Sequence, residues 1–461
     1  MSNLVNKRQF VLTEKPMNIE HDWLKIDINE LYTLYYDQSL NVESISDDET
    51  TLILIGIAID PDNKNDSNRE IVERLLNNSR GFSDLFQNTF HLGGRWAIIW
   101  IKKDEMFVFN DACGMRRIFY STNNQKVVSS SANLIAKHLG ASVNMSEDMD
   151  EFVNSHVFEK TERAWIGDKT IYSSIYRLLP NHYLDVNDRT TSRLPISLDN
   201  IETSDSSVTL DRVHNLLKDS ISSLSSRFFL MQGVTAGWDS RLLLAYSLHS
   251  YGNIEHFVSS KNVLNENDQD IRVPKQLANS FDFKLNHIQS LPDLSKEAED
   301  AIKENVMLGR NLPKHRTVQY HLDNKSNKII INGNVGEITR DGFINSDANV
   351  FSLKSTRLKF PDAKFVSNEF NKWYEDALNF SIELDVPIAD LFFIEQWIAN
   401  WGSMYPAEQD IAVEEITPYN NREFLFTVMK YKKYMGERNI QKMILEKYYP
   451  EMLEIPVNPK F

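Results

Sequence analysis

The chain has 461 residues, enough for two or three domains with substantial cores. Hydrophobic residues make up 41% and charged residues 25%, the balance of an ordinary globular protein. The formal charge of −15 argues against nucleic acid as the main partner, because binding a phosphate backbone requires a strong basic field. A single cysteine, Cys113, excludes an intramolecular disulfide.

No segment of the sequence predicts a membrane helix. The longest apolar run, residues 51–60, has roughly half the length that a membrane helix needs, and its β-branched residues favour a buried strand. The first fifteen residues lack the apolar centre of a signal peptide. We therefore expect no membrane partner and a cytoplasmic location.

The chain divides into a strand-rich part and an alternating part. Strands are predicted over residues 52–59, 95–102, 106–110, 118–122, 126–130 and 182–186. The polar residues 194–207 are the predicted linker. After them, helices (211–224, 239–250, 269–279) alternate with strands (227–234, 255–259, 284–289, 328–332). This alternation predicts a parallel sheet with helices on both faces, and the last ~100 residues are predicted to be largely helical.

The most informative stretch is residues 228–245, where an apolar strand runs through small residues into a helix. Small residues let backbone N–H groups approach a phosphate, and the helix N-terminus adds further donors and a favourable dipole. The predicted phosphate loop consists of Thr235, Ala236, Gly237, Trp238, Asp239 and Ser240. Asp239 would hold Mg²⁺, while Thr235 and Ser240 would supply hydroxyl groups. The alternative is an ordinary strand–turn–helix connection with Asp239 as a capping residue.

This stretch resembles the pyrophosphatase loop Ser-Gly-Gly-x-Asp-Ser of asparagine synthetases and related ATP-pyrophosphatases, with Thr235 and Ala236 replacing its first two residues. Residues 329–343 look like the family's apolar strand followed by Gly-Glu-Gly-x-Asp-Glu. The resemblance implies ATP and Mg²⁺ as cofactors, Gly333 beside the nucleotide, and Asp239 with Glu337 as metal ligands. The alternative for the second stretch is a glycine-rich turn with a surface glutamate.

Three further residues are candidate catalytic groups by the same resemblance. Asn334 stands where asparagine synthetases have a glutamate near the reacting centre and β-lactam-forming relatives have a tyrosine, so this position varies with the chemistry. Glu414 begins a stretch similar to Glu-x-Arg-x-Pro-Phe, in which Ile416 replaces the arginine. Lys442 begins a stretch similar to Lys-x-Ile-Leu, whose lysine faces pyrophosphate; the alternative is a solvated helix lysine.

Other positions complete the predicted pocket. Val258 and Ser259 end a strand beside the loop, where a doubly wound sheet places adenine. His287 matches a family histidine, but it is equally compatible with a core or capping role. By position alone, the substrate pocket is predicted to include Asp268, Arg310 and Glu408.

The front part resembles the N-terminal-nucleophile (Ntn) glutaminase domain, at residues 92–97, 109–120 and 177–184. That family uses the cysteine after the initiator methionine as its nucleophile. Here Ser2 stands in that place, and Cys113 lies too far along the chain to replace it. The resemblance implies an α/β protein: an inactive Ntn-type αββα sandwich over residues 1–195, then a doubly wound parallel-sheet ATP-pyrophosphatase domain with a helical C-terminal part over residues 208–461.

The implied reaction is amide formation through an acyl-adenylate, with release of pyrophosphate and then AMP. The partners would be a small-molecule or peptide carboxylate and an amine or ammonia, with a possible partner protein of the same biosynthetic cluster. Two alternatives stay open. One is an intramolecular ring-closing synthetase of the β-lactam or lasso-peptide type, and the other is a catalytically silent relative that acts as a binding partner.

Overall fold

The computed structural model describes residues 4–17, 23–199, 201, 205–250, 252–259, 268–289, 291–340, 351–356, 360, 362–436 and 439–459. Ser2, the end of the turn predicted over 329–343, and residues 200 and 202–204 of the predicted linker lie outside these ranges.

The strands before residue 200 form two antiparallel six-stranded sheets, which we call the front unit. They are β1 (Phe10–Thr13), β2 (Leu24–Asp27), β3 (Thr33–Tyr36), β4 (Val42–Ser46), β5 (Thr50–Ile59), β6 (Gly93–Lys102), β7 (Glu105–Asn110), β8 (Phe119–Ser121), β9 (Val127–Ser129), β10 (Ile175–Arg177), β11 (His182–Asp185) and β12 (Thr190–Arg193). The sheet orders are β10-β8-β9-β1-β3-β2 and β12-β11-β7-β6-β5-β4.

The two sheets pack face to face with helices on their outer faces. The helices are α1 (Asn68–Asn78), α2 (Phe82–Asn88), α3 (Ala132–Leu139), α4 (Glu147–Val153) and α5 (His156–Lys160). Alternation along β5 builds these layers, because neighbouring side chains of a strand point to opposite faces. Ile53 and Ile55 pack with Leu12 and Leu34 of the other sheet. Leu52 and Leu54 pack on the outer face, with Ile71 of α1.

The back unit, from residue 205 onward, contains a parallel five-stranded sheet. Its strands are β13 (Leu230–Gly233), β14 (Ile254–Ser259), β15 (Leu285–Ile288), β16 (Ile329–Ile331) and β17 (Glu415–Ile416), in the order β15-β14-β13-β16-β17. Its helices are α6 (Ser206–Arg227), α7 (Trp238–Leu248), α8 (Gln269–Ser280), α9 (Lys296–Asn305), α10 (Arg316–Asp323), α11 (Lys364–Leu384), α12 (Ile388–Phe392), α13 (Met404–Gln409), α14 (Arg422–Met435) and α15 (Ile440–Tyr448), with a π-helix over Phe393–Gly402.

This architecture confirms the predicted fold class. The front unit is a four-layer helix–sheet–sheet–helix arrangement, and the back unit has a parallel sheet with a helical C-terminal part. The strand order reverses between β13 and β16, so the crevice at their carboxyl ends is the expected ligand position in such a sheet. Most predicted elements are present, with ends that differ by at most five residues. No helix among the described residues is both long and apolar enough to cross a membrane.

The predicted linker, 194–207, is less detached than its polar composition suggested. Leu194, Ile196 and Leu198 are buried in the core cluster that also contains Leu210 of α6. Helix α6 already begins at Ser206, with the Asp205 side chain accepting hydrogen bonds from the N–H groups of Ser207 and Val208.

Buried charges join the two units. Arg95 of β6 donates to both carboxylate oxygens of Asp410, at 2.7 Å each, and Arg116 donates to Glu414 at 2.7 Å. All four residues are buried. The candidate catalytic residue Glu414 therefore belongs to an ion cluster that we call the seam cluster (Arg95, Arg116, Asp410, Glu414). Arg95 and Arg116 contact this carboxylate directly, and Arg8 lies 3.8 Å from it. Burial alone would raise the pKa of Glu414, but the charges of Arg116, Arg95 and Arg8 outweigh it and lower the pKa.

Candidate nucleotide site

The site is built at the carboxyl ends of β13, β14 and β16. A cavity of about 150 Å³ opens there. Its walls come from seven elements and their loops: Gly233, Val234, Thr235, Phe257, Val258, Ser259, Asp270, Thr317, His321, Ile330, Ile331, Asn332, Tyr405, Gln409 and Glu415. The predicted residues Thr235, Val258 and Ser259 thus line one cavity. It lies at the reversal of strand order, where an open parallel sheet binds its ligands.

Three polar atoms on the cavity wall lack a hydrogen-bond partner in the described part of the chain: Ser259 Oγ, His321 Nδ1 and Gln409 Oε1. All three residues are buried. Buried polar groups in proteins are nearly always hydrogen-bonded, because leaving one unsatisfied is costly. Their position in the cavity wall indicates that a ligand with both donors and acceptors fits here. Burial lowers the pKa of His321 to about 4, so its ring is neutral at pH 7.

The loop between β13 and α7 is held by its own side chains. The hydroxyl groups of Thr235 and Ser240 lie 2.8 Å apart, and the Thr235 N–H donates to Ser240 Oγ at 3.1 Å. The Gly237 N–H donates to Thr235 Oγ1 at 3.3 Å. Gly237 is the N-terminal cap of α7, so this helix begins with Trp238 and Asp239, as the sequence predicted within one residue.

A carboxylate already contacts this loop. The Ala236 N–H donates to Asp270 Oδ1 at 2.9 Å, and Asp270 sits in the first turn of α8. The Asp270 carboxylate therefore accepts the hydrogen bond of a loop N–H group that the sequence analysis expected to bind a phosphate. Asp270 also lines the cavity, so its charge faces any anion that enters.

The side chain of Asp239 also has hydrogen-bond partners within the chain. Arg340 Nη2 donates to its two carboxylate oxygens at 2.8 and 2.6 Å, and Gln441 Nε2 donates to Oδ1 at 2.7 Å. The Tyr419 hydroxyl donates to the Asp239 carbonyl oxygen at 3.2 Å. Two glycines allow this packing, because a Cβ at Gly336 would lie 2.6 Å from Asp239 Oδ1 and one at Gly333 would lie 2.5 Å from Asp239 Cβ.

The second predicted metal ligand, Glu337, lies near Asp239. Burial of its carboxyl group and the Asp239 charge raise the pKa of Glu337, and Arg340 opposes them. Two neighbouring carboxylates are suitable hard oxygen donors for Mg²⁺. In this arrangement, however, the Arg340 guanidinium supplies the compensating charge, so the donor set does not fit a divalent cation.

The turn that carries Glu337 has unusual backbone geometry. Val335, between Gly333 and Gly336, has a φ of +73° and is fully buried. A left-handed conformation is a genuine outlier for a β-branched residue, and such strain clusters at functional sites. Asn334 precedes it. Its N–H donates to Asn332 Oδ1 at 2.9 Å and its carbonyl accepts from the Thr417 hydroxyl at 2.6 Å. Both contacts of Asn334 are through its backbone.

Lys442 lies on α15, next to Gln441. Its side chain is about half exposed and its Nζ is 3.4 Å from Glu446. Its role at the site remains a prediction. Arg310 and Glu408 form a buried pair at 2.7 Å, joined by His315, outside the cavity wall. Asp268 is the N-terminal cap of α8, where it accepts from the Asp270 N–H.

Cys113 is not placed to act as a glutaminase nucleophile. Cys113 is completely buried, and burial raises the pKa of its thiol well above the ordinary value. Its N–H donates to Asn420 Oδ1 of the back unit at 2.9 Å. The thiol is therefore a packing group.

Sequence comparisons find no matching family model and no matching characterised protein. Among solved structures, glutamine phosphoribosylpyrophosphate amidotransferase from B. subtilis is 9% identical, with 65% of this chain and 87% of that chain covered and a TM-score of 0.26. The NH3-dependent NAD synthetase from Campylobacter jejuni is 12% identical, covering 29% and 59%, with a TM-score of 0.19. The glutamine-dependent NAD+ synthetase from Acinetobacter baumannii is 12% identical, covering 44% and 39%, with a TM-score of 0.20. Similarities of this size do not indicate the activity of this chain.

Sequence reasoning missed five residues that shape this site: Asp270, Arg340 and Gln441 around the loop, and His321 and Gln409 in the cavity wall. Arg340 lies three residues after Glu337, in the stretch that resembles the family. This position beside a predicted metal ligand was the sequence signal that could have pointed to it. Asp270 and Gln441 carried none, because their contacts join residues 34 and 202 positions apart.

Proposed function

We propose that this protein is an ATP-dependent amide-forming enzyme that activates a carboxylate as its adenylate. The observation that carries the proposal is the cavity at the ends of β13, β14 and β16, which has three unpartnered buried polar atoms and opens onto the loop at Thr235. A purine base has both donors and acceptors along its edge, so it would satisfy these atoms. The phosphates would then extend toward the loop and the N-terminus of α7.

The reaction follows from the poor electrophilicity of a carboxylate. A substrate carboxylate oxygen attacks the α-phosphorus of ATP, and the bond to the β-phosphate oxygen breaks with release of pyrophosphate. A neutral amine or ammonia then attacks the acyl carbon, expels AMP and loses a proton to give the amide. In this reaction the chain's residues would position the reactants, neutralise charge and exclude water. Arg340 and Lys442 are the proposed sources of positive charge.

We infer that the amine does not come from glutamine hydrolysed at Cys113, because this thiol is buried. Free ammonia, ammonia from a partner protein or an amine on the substrate itself are the remaining sources. The last would make this a ring-closing synthetase.

A test of the nucleotide site needs no knowledge of the substrate. Isothermal calorimetry would measure ATP binding to the wild type, to Ser259→Leu, which fills the cavity, and to Ser226→Leu, an exposed control. We expect micromolar binding, about −8 kcal/mol, for wild type and control, and at least tenfold weaker binding for Ser259→Leu. Equal affinity in all three would overturn the assignment of this cavity.

The chemical step is tested by the products. With a panel of carboxylic acids and ammonia, adenylation releases AMP and pyrophosphate, whereas phosphorylation of the acid would release ADP and phosphate. We expect AMP and pyrophosphate. Formation of ADP would exclude the proposed mechanism.

A second candidate, a silent relative that serves as a binding partner, is favoured by the two contacts that occupy the loop. Asp270 holds the Ala236 amide and Arg340 holds Asp239. A chain that no longer binds phosphate or metal would retain such contacts as ordinary structure. Turnover of ATP to AMP under any condition would exclude this candidate.

A further inference from the structure

A small, strongly basic cavity lies between the two units. Its volume is about 10 Å³, and it shares no lining residue with the nucleotide cavity. Front-unit residues, among them Arg117, Phe119 and Arg177, form one side, and back-unit residues, among them Asn400 and Met404, form the other.

Two arginines in this cavity lack the partners that buried arginines normally have. Arg117 is 5% exposed and Arg177 is 3% exposed. The Nε of each has no hydrogen-bond partner in the described ranges, and neither arginine makes a salt bridge with a described carboxylate. Arg177 donates only to neutral oxygens, those of Asn400 at 3.1 Å, Ser403 at 3.0 Å and Gly114 at 3.2 Å.

Both guanidinium groups line this cavity and contact the same aromatic ring. Their central carbons are 4.8 Å (Arg117) and 6.0 Å (Arg177) from the centroid of the same ring, Phe119. Burial, followed by the Arg117 charge, lowers the pKa of Arg177, and burial lowers that of Arg117 to about 10. A guanidinium group stays protonated in proteins, so two like charges are buried in this cavity.

The other two basic residues of the cavity are compensated. Arg163 is 2.8 Å from Glu159, and Lys169 is 2.9 Å from Glu369. Among the basic residues of this cavity, Arg117 and Arg177 are therefore the two without a salt-bridge partner in the described part of the chain. Buried charges in proteins are paired, because removing an ion from water without a partner is costly.

We propose that this cavity binds one small monovalent anion, with chloride as the probe, between Arg117 and Arg177. A volume of about 10 Å³ is close to the smallest that holds one water, so the cavity excludes phosphate, sulfate and nucleotides. The anion would satisfy the free guanidinium N–H groups and cancel part of the repulsion. Because both units supply its walls, the ion would hold the units together. This proposal is independent of the proposed enzyme function.

Crystallography with bromide provides the direct test. Crystals of the wild-type protein grown in bromide instead of chloride should give an anomalous peak between the two guanidinium groups at the bromine absorption edge. A cavity with no anomalous peak, filled by water or empty, would overturn the proposal.

Thermal unfolding provides the second test. At matched ionic strength, chloride at ten times its dissociation constant should raise the unfolding midpoint over that in gluconate by roughly 1–2 °C. Arg117→Met should abolish this difference, Arg117→Lys should keep part of it, and the exposed control Arg69→Met should keep all of it. If Arg117→Met does not fold, the bromide experiment on the wild type still decides. Equal midpoints of the wild type in chloride and gluconate would contradict the proposal.

Discussion

The carboxylate of Asp239 accepts hydrogen bonds from Arg340 on both oxygens and from Gln441 on one. The pair with Arg340 is about one quarter exposed on each side, so water screens it and its contribution to stability is modest. Its importance is therefore chemical. The Arg340 guanidinium neutralises the carboxylate charge of Asp239 and Glu337 that a bound cation would otherwise neutralise.

Replacing Arg340 tests this competition. In Arg340→Gln, two neighbouring carboxylates lose their compensating charge, so we expect Mn²⁺ to bind at least tenfold more tightly than to the wild type. Electron paramagnetic resonance of free Mn²⁺ measures the affinity. Arg340→Lys, which keeps the charge, is the matched control and should resemble the wild type. Equal Mn²⁺ affinity in wild type and Arg340→Gln would show that Arg340 does not exclude the cation.

At the level of elements, the connection from β13 through the loop to α7 depends on close packing with the turn after β16. Gly333 and Gly336 of that turn approach Asp239 so closely that neither position has room for a side chain. The fully buried Val335 between them keeps its strained φ of +73° because this packing determines the backbone on both sides.

Gly336→Ala should therefore disturb this junction. The new Cβ would lie 2.6 Å from Asp239 Oδ1 and 3.0 Å from its Cγ, so Asp239 must move and lose its contacts with Arg340 and Gln441. We expect a loss of about 1–3 kcal/mol in the free energy of unfolding, measured by urea denaturation. Gly81→Ala, where no atom lies within 4 Å of the new Cβ, should stay within about 0.5 kcal/mol of the wild type. If Gly336→Ala had the same free energy of unfolding as the wild type, the turn would accommodate the new Cβ without loss of stability, which contradicts this prediction.

The elements that sequence predicted well are those with long periodic patterns. The ten-residue strands β5 and β6 and the loop before α7 were found because local composition determines them. Short strands such as β1 and β10 were missed, since three or four residues carry too little pattern and their pairing comes from distant partners. The contact between Arg340 and Asp239 was missed for a related reason. The two residues are 101 positions apart in the sequence, and no local pattern joins them.

At the scale of the whole molecule, the seam cluster joins the two units through fully buried charges. Arg95→Met would leave Asp410 and Glu414 with fewer cationic partners in a place without water. Removing one partner of a buried pair costs about 3–5 kcal/mol, so we expect a loss of that size in the free energy of unfolding. Urea denaturation measures it, with the exposed Arg80→Met as control. A loss below about 1 kcal/mol would contradict a structural role for the cluster.

Three buried histidines should make stability depend on pH. Burial lowers the pKa of His214, His256 and His321 to about 4, from 6.5. Between those values the unfolded chain binds protons that the folded chain does not. Stability is therefore complete above pH 6.5 and is lost as the pH falls toward 4, by at most about 1.4 kcal/mol per pH unit for each histidine.

A pH series of urea denaturation between 7 and 4 checks this expectation. His256→Gln, which removes the group that contacts Ser247, should reduce the slope by about one histidine's share. The exposed His156→Gln should leave the slope unchanged. If all three proteins show the same slope, the buried ring of His256 does not titrate as described.

The seam cluster also has a consequence for how the chain is made. Arg95 and its partner Asp410 are 315 residues apart, and at ~5–20 residues per second the ribosome needs roughly 15–60 s to bridge that interval. Throughout this time the nascent front unit exposes the arginines of a binding face whose acidic counterpart has not yet been synthesised. That face is open to other acidic proteins during this interval, so we expect the yield of folded protein in a heterologous host to depend on the speed of translation through the second half of the message.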